Sequence, residues 1–198
     1  MKTSAHGDKR IKIGQRGVAA VELALVAIPF FLLLLGAIEF GRLMYVWNTV
    51  QEVTRNAARQ AVVTNFNDDT AINTIKNLAV FRTSPGSLPA ALEVTNANIK
   101  VSYLSNINGN LSEYPLPLKP SDNIAACLTA LTSCVRYVEV CVVSVADASD
   151  QGVSCALSTE VSFSPMIGFF TNLNVLKIPR STVRMPAESM GFVPLITP

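Results

Sequence analysis

Between Val18 and Ile38 the chain reads VAAVELALVAIPFFLLLLGAI, a run whose one charge is Glu22. At about 1.5 Å of rise per residue it matches the roughly 30 Å hydrocarbon core of a bilayer, which predicts a single transmembrane helix. Beyond Arg42 the apolar positions thin out without losing helical spacing. Met44, Trp47, Val50, Val53, Ala57, Ala61 and Val62 recur with Asn48, Gln51, Glu52, Arg55 and Arg59 between them, close to a 3.6-residue period. Val18 to about Asn65 therefore reads as one helix of roughly 70 Å, half in lipid and half packed on a domain. Pro29 lacks an N–H and crowds the preceding turn, so the membrane half is expected to kink there.

The remaining pattern is mixed. Asn67 with Asp68 or Asp69 offers a cap for a second helix, with Ala71, Ile72, Ile75, Leu78 and Ala79 on one face, ending before Ser84-Pro85-Gly86. Strand-like runs follow at Ile99 to Leu104, Tyr137 to Val145, about Leu157 to Phe163 and about Val175 to Met185. Loop chemistry separates them at Asn108-Gly109-Asn110, Pro115 to Pro120 and Ser149-Asp150-Gln151-Gly152. A long helix followed by an antiparallel sheet is an α+β architecture. The expected organisation is a leader over 1–17, a transmembrane helix over 18–41, its extension over 42–66 and an α+β domain outside the cytoplasm over 67–198.

Composition sharpens this picture. The chain has 198 residues, 49% of them hydrophobic and 15% charged, against about 25% charged in an ordinary soluble domain. That balance excludes a disordered chain and fits poorly with a soluble enzyme. The formal net charge of +2 hides an asymmetry. Lys2, Lys9, Arg10, Lys12 and Arg16 against Asp8 give the leader a net +4, and the body comes to −2. The basic leader places the amino terminus in the cytoplasm. The other Lys and Arg are scattered singly, without a basic face interleaved with aromatics, so nucleic acid is not an expected partner.

A basic segment before an apolar run also describes a signal peptide, but this run is too long for one and is followed by Glu39-Phe40-Gly41-Arg42, with no small-residue cleavage site. An uncleaved anchor accounts for hydrophobicity and orientation and leaves Glu22 unexplained, because a carboxylate in a membrane helix costs several kcal/mol unless paired or neutralised. A cut between Gly17 and Val18 supplies the partner. Val18 gains an α-ammonium, and Glu22 becomes the fifth residue of the mature chain, near the positive end of the helix dipole. Arg16-Gly17 followed by Val18-Ala19-Ala20-Val21-Glu22 and an apolar helix is the type IV prepilin cleavage pattern.

Gly17 to Val62 resembles the amino-terminal region of TadE-like proteins, minor pseudopilins of the tight-adherence (Tad) pilus system. The matching features are Glu22, Pro29, the Glu39-Phe40-Gly41-Arg42 exit and the run Arg55-Asn56-Ala57-Ala58-Arg59. The segment Arg180 to Glu188 resembles the family's closing strand. The major pilins of this system usually carry tyrosine after the glutamate, where this chain has Leu23, which favours a minor subunit. The resemblance implies maturation by a prepilin peptidase. It further implies partnership with other pilin-like subunits, the inner-membrane assembly platform and membrane lipid, and a single-pass place in a bacterial inner membrane with the carboxy-terminal domain periplasmic or carried into a pilus. The rival reading is an uncleaved, anchored envelope domain that binds a ligand or organises a complex outside any filament. An anchored envelope enzyme is a third.

Four cysteines, Cys127, Cys134, Cys141 and Cys155, lie in the part expected outside the cytoplasm, where disulfides persist. Three pairings are open. Strands at 137–145 and 157–163 would bring Cys141 near Cys155. Cys127 and Cys134 would be about 10 Å apart on a continuous helix from Ile124 to Ser133, so that bridge needs the helix broken. The spacings suit zinc poorly, and neither a metal nor another cofactor is expected. The only histidine, His6, lies in the leader, so no Ser-His or Cys-His arrangement is available to a mature chain. Gly152 to Ala156 lacks the second glycine of a nucleophile elbow and reads as a loop. Asn110-Leu111-Ser112 matches a glycosylation acceptor and reads as an exposed loop. Glu39 and Arg42 read as an interfacial ion pair of small worth. No catalytic residue is assigned, and the protein is not expected to be an enzyme.

Overall fold

The structure is a computed structural model that describes residues 16–107, 110–112, 116–129, 131, 133–150, 154–166 and 176–191. The leader up to residue 15, residues 108–109, 115 and 151–153 of the expected loops, and Val175 lie outside them. The chain forms two units, Met1–Phe40 and Gly41–Pro198.

The described part of the first unit is helix. α1 runs over Arg16–Ala61 and so continues from this unit into the next, with Pro29 inside it. Its apolar stretch has a mean hydropathy of 2.6 over eighteen residues, none of them buried. Leucine, isoleucine, valine and phenylalanine side chains from Val21 to Phe40 face outward around the helix. In water this would be an apolar surface far larger than a monomer exposes. The helix is long and apolar enough to be a single-pass membrane anchor.

The second unit gathers around the rest of α1. Leu43, Val46, Val50, Val53, Ala57 and Ala61 recur every three or four residues and are all buried, the stripe a core-facing helix needs. They join one core with Ile75 and Ala79 of α2 (Asp69–Ala79), Leu88, Ala91 and Val94 of a hairpin formed by β1 (Ser87–Leu88) and β2 (Ala91–Thr95), and the valines of a central sheet. That sheet is antiparallel in the order β4-β3-β5-β8, comprising β3 (Ile99–Ile107), β4 (Asn110–Ser112), β5 (Tyr137–Val142) and β8 (Thr182–Pro186). Two short strands, β6 (Val161–Ser162) and β7 (Lys177–Ile178), pair separately. The architecture is α+β, as the pattern of the sequence predicts.

Both faces of the central sheet are covered, so β5 is buried at nearly every position. Val138, Val140 and Val142 join the main core, opposite Tyr103, Val101 and Ile99 of β3. The alternate positions face the other way. There Cys141 joins Val143, Ala148 and Cys155 in a second, smaller cluster, and Glu139 accepts a hydrogen bond from Arg184 on β8. Lys100, opposite Cys141 in the register, is buried and donates to the backbone carbonyls of Asp147 and Asp150 at the end of the short helix α4 (Val145–Ser149). A buried ammonium is tolerable when carbonyl oxygens replace its water.

Several boundaries differ from the sequence expectation, each for a local reason. α1 begins two residues before Val18 and ends at Ala61 rather than near Asn65. The Val62 carbonyl is taken instead by the backbone N–H groups of Glu188 and Met190, at 3.3 and 3.2 Å. Next to this point Gly191 has a φ of +77°, and a Cβ there would lie 3.0 Å from the Asn65 nitrogen, so only glycine suits both conformation and space. The strand expected through Val145 stops at Val142, because Ser144 caps α4 by accepting from the Asp147 N–H. The strand expected over Leu157 to Phe163 shrinks to β6, since residues 154–158 form a turn in which Leu157 and Ser158 donate to the Ser154 carbonyl. The last expected strand divides into β7 and β8 at Pro179, which cannot donate to a ladder.

Candidate functional site

Gly17, Val18 and Glu22 all lie in the opening turns of α1. Val18 is exposed, as is Glu22 among the outward apolar side chains of Val21, Leu23, Leu25 and Val26. Four residues separate Val18 from Glu22, so they share a helix face one turn apart, about 6 Å along the axis. A Cβ built on Gly17 would meet nothing within 4 Å. The chain's own packing therefore does not require glycine there, and any intolerance of a side chain at 17 must come from a partner. The Gly17–Val18 peptide bond is helical in this structure, so a hydrolase would have to take it from the frayed first turn, where the leading N–H groups lack intrahelical partners. Pro29 is exposed and the helix is continuous on both sides of it.

The start of the second unit is fixed by Arg42. Its guanidinium donates to the Ala90 carbonyl at 3.0 Å, to the Glu93 carboxylate at 3.4 Å and to the Ser164 carbonyl, and it lies 4.3 Å from the centre of the Phe163 ring. Both members of the Arg42–Glu93 pair are about nine-tenths buried at the side chain. A planar fork with five donors suits this mixture of carbonyls, carboxylate and aromatic face. Glu93 lies 51 residues further along the chain, and no local spacing could have pointed to it.

The four cysteines form two disulfides, Cys127–Cys134 and Cys141–Cys155, with Cα separations of 4.7 and 6.0 Å. The first is possible because α3 covers Pro120–Leu128 only, whereas the sequence suggested a helix through Ser133. After Thr129 the chain turns back, with Leu131 donating to the Ala126 carbonyl and Cys134 to that of Leu131. Asn123 locks the return by exchanging two hydrogen bonds with the backbone of Val135, at 3.1 and 2.7 Å. Because both sulfurs of each pair are bonded, none of these cysteines is a thiolate ligand for zinc.

Three groups in the second unit have displaced acidities. The Thr159 N–H, the Thr159 and Ser144 hydroxyls and, more weakly, Lys100 hold the Asp147 carboxyl below its ordinary value. Burial pushes the Tyr103 phenol up to about 12. Burial also lowers Lys76, helped by Lys100 and opposed by Asp69. Lys100 contributes to the shifts of both Asp147 and Lys76.

Residues 17–59 match the family model of TadE-like proteins. This is the family that the sequence resembles, and the match begins at Gly17 and spans most of α1. TadE-like proteins are structural and pilus-associated rather than enzymatic. The TadE-like match ends before α2, so it does not reach the sheet or the disulfides. No curated protein and no solved structure matches the chain significantly.

Proposed function

We propose that the protein is a minor pilin-like subunit of the tight-adherence pilus system, made as an inner-membrane precursor and needed for pilus biogenesis and adherence. A prepilin peptidase hydrolyses the bond between Gly17 and Val18, leaving a carboxylate on Gly17 and an α-ammonium on Val18. The observation that carries this reading is the TadE-like match beginning at Gly17, on an exposed apolar helix whose sole charge between Gly17 and Ile38 is Glu22. Glu22 then pairs with the Val18 ammonium of its own chain or of a neighbour as apolar helices bundle in the membrane with other pilin-like subunits and the assembly platform. That pairing offsets the cost of placing either charge in lipid, and removing one partner leaves the other unpaired. Pro29 supplies a bend for fitting the helix into the bundle.

The amino-terminal sequence and intact mass of protein recovered from membranes test the cut directly. A chain beginning at Val18 is expected, and retention of residues 1–17 would overturn the reading in favour of an uncleaved anchor. Gly17→Phe is expected to block maturation. Glu22→Ala is expected to be made and cut but to abolish piliation, and normal piliation in that variant removes the role given to Glu22.

A further inference from the structure

α2 closes in a tight left-handed turn. The Phe81 N–H donates to the Leu78 carbonyl and the Arg82 N–H to the Asn77 carbonyl, both at 3.0 Å, and Phe81 has a φ of +58°. Glycine is the usual occupant of this turn, because a side chain is strained at positive φ. Strain of this kind is normally offset by packing, yet Phe81 is 50% exposed, beside Leu78 at 42%. Arg82 next to it is exposed too. Among the described residues its one side-chain bond runs from Nε to the Ser87 carbonyl, and no carboxylate is paired with it. The end of α2 thus presents an aromatic ring and a guanidinium that its own domain does not use.

A groove of about 440 Å³ lies elsewhere in the same unit, beside α3, where the chain enters β5 and leaves β8. Ile124, Cys127, Leu128 and Val135 give it apolar walls, with Leu128 82% exposed. Arg136 also lines it, and the exposed Asp122 and Glu188 stand next in the chain to its lining residues Asn123 and Ala187. Neither carboxylate is paired with a cation among the described residues. Ring and groove belong to opposite ends of β5. The Gly86 N–H donates to the Asn96 side chain, and Asn98 donates to the Val143 carbonyl, which ties the Phe81 turn to the Val143 end. Val135 and Arg136 open the other end, about 23 Å away at the rise of a strand.

We propose that Phe81 of one copy enters the α3 groove of a second copy, with Arg136 over the ring and Arg82 facing Asp122 and Glu188. An apolar wedge meets an apolar groove, a guanidinium favours the face of an aromatic ring, and the cation beside the wedge meets two carboxylates. That charge match, with the separation of the two features on one chain, makes the occupant a second copy. The contact engages the second unit alone and does not depend on the reading of residues 18–41 as a membrane span.

The experiment uses the full-length protein in membranes, with the photoreactive p-benzoylphenylalanine at position 81, which keeps an aromatic ring there. Illumination is expected to give a covalent dimer whose adduct, mapped by mass spectrometry, lies in residues 122–136 or 187–188 of the second chain. Leu128→Glu, at an exposed position, is expected to cut the dimer yield about tenfold while both disulfides are retained by mass. Arg82→Glu should weaken the dimer as well, and adding Asp122→Arg with Glu188→Arg should restore it. Phe81→Gly relieves the positive φ and is expected to melt no lower than the parent chain. A dimer yield untouched by Leu128→Glu, or an adduct elsewhere in the second chain, overturns the groove as the site. An adduct to a different protein overturns the second copy as the occupant. Failure of the charge-exchanged variant to recover overturns the role given to Arg82. A lower melting temperature for Phe81→Gly means that the ring serves its own domain, which overturns the wedge.

Discussion

Leu33 and Leu43 stand on the same helix ten residues apart, and one is 76% exposed while the other is 5% exposed. The stretch around Leu33 is apolar on every side and buries nothing, and the stretch from Leu43 to Ala61 is apolar along one stripe and buries all of it. The helical backbone is the same in both. What differs is the solvent each stretch is written for: an all-round apolar surface answers to lipid, and a stripe answers to a protein core.

The sharpest way to break this comparison is to truncate the same residue type in each stretch. Leu43→Ala is expected to destabilise the second unit by about 2–5 kcal/mol. Leu33→Ala should stay within about 0.5 kcal/mol, as for other sites that bury nothing. Denaturant unfolding of detergent-solubilised protein reads both, and equal losses would show that the two stretches share a core. Removing the Cys141–Cys155 bridge by paired serine substitution is expected to cost about 3 kcal/mol, and removing Cys127–Cys134 about 2.5 kcal/mol, because the second closes the shorter loop. Neither should change the membrane insertion of α1, which carbonate extraction checks.

A smaller effect is expected at the end of the stripe. The Tyr103 hydroxyl donates to the Ala61 carbonyl at 3.4 Å, so Tyr103→Phe should cost about 0.5–1.5 kcal/mol at neutral pH. Because burial raises the folded phenol to about 12 from 10.0, the protonated ring stabilises the fold fully below pH 10, and that contribution is lost as pH rises toward 12. The phenylalanine variant should lack this alkaline loss, and thermal melts between those pH values test it. The smallest effect concerns Asp147. Its folded carboxyl lies below the ordinary value, so its contribution is present above about pH 4 and fades as pH falls through the folded value. Asp147→Asn should flatten the acid side of the stability profile without affecting the alkaline side.

The long helix was legible because its apolar positions are local and dense, and the second helix because Asp68 caps it by accepting from the Ala71 N–H at 3.0 Å. The central strands β3, β5 and β8 were legible at their centres, whereas β4 occupies Asn110-Leu111-Ser112, which reads as an exposed loop in the sequence and pairs instead with the end of β3. The strand ends were not, because Ser144 and Pro179 stop elements through bonds or constraints that compete with a continuing pattern, as the Val62 carbonyl does for α1. The β1–β2 hairpin escaped notice because β1 has only two residues, although the positive φ of 59° at Ala90 marks a tight turn once seen. The α4 start did carry a readable signal, serine at 144 with aspartate at 147, the usual capping spacing. At the candidate site, Gly17, Val18, Glu22 and Pro29 are singled out by residue type and spacing, and their functional role is the proposal made above. Arg42 was noticed, but Ala90, Glu93 and Ser164 come from segments 48 to 122 residues away and cannot be inferred from one sequence.

The attachments at the two ends of the α1 stripe set an order of events during synthesis. Arg42 waits for Ser164, 122 residues later, and the Val62 carbonyl waits for Glu188 and Met190. At about 5–20 residues per second that delay is roughly 6–25 s, longer than a helix or hairpin needs to form. For that interval the anchor is already complete while the neighbouring valines and alanines have no sheet to cover them. Newly made chains are therefore expected to pass through a tethered state, competent to stay in the membrane and still open to chaperones, proteases and wrong partners in the envelope.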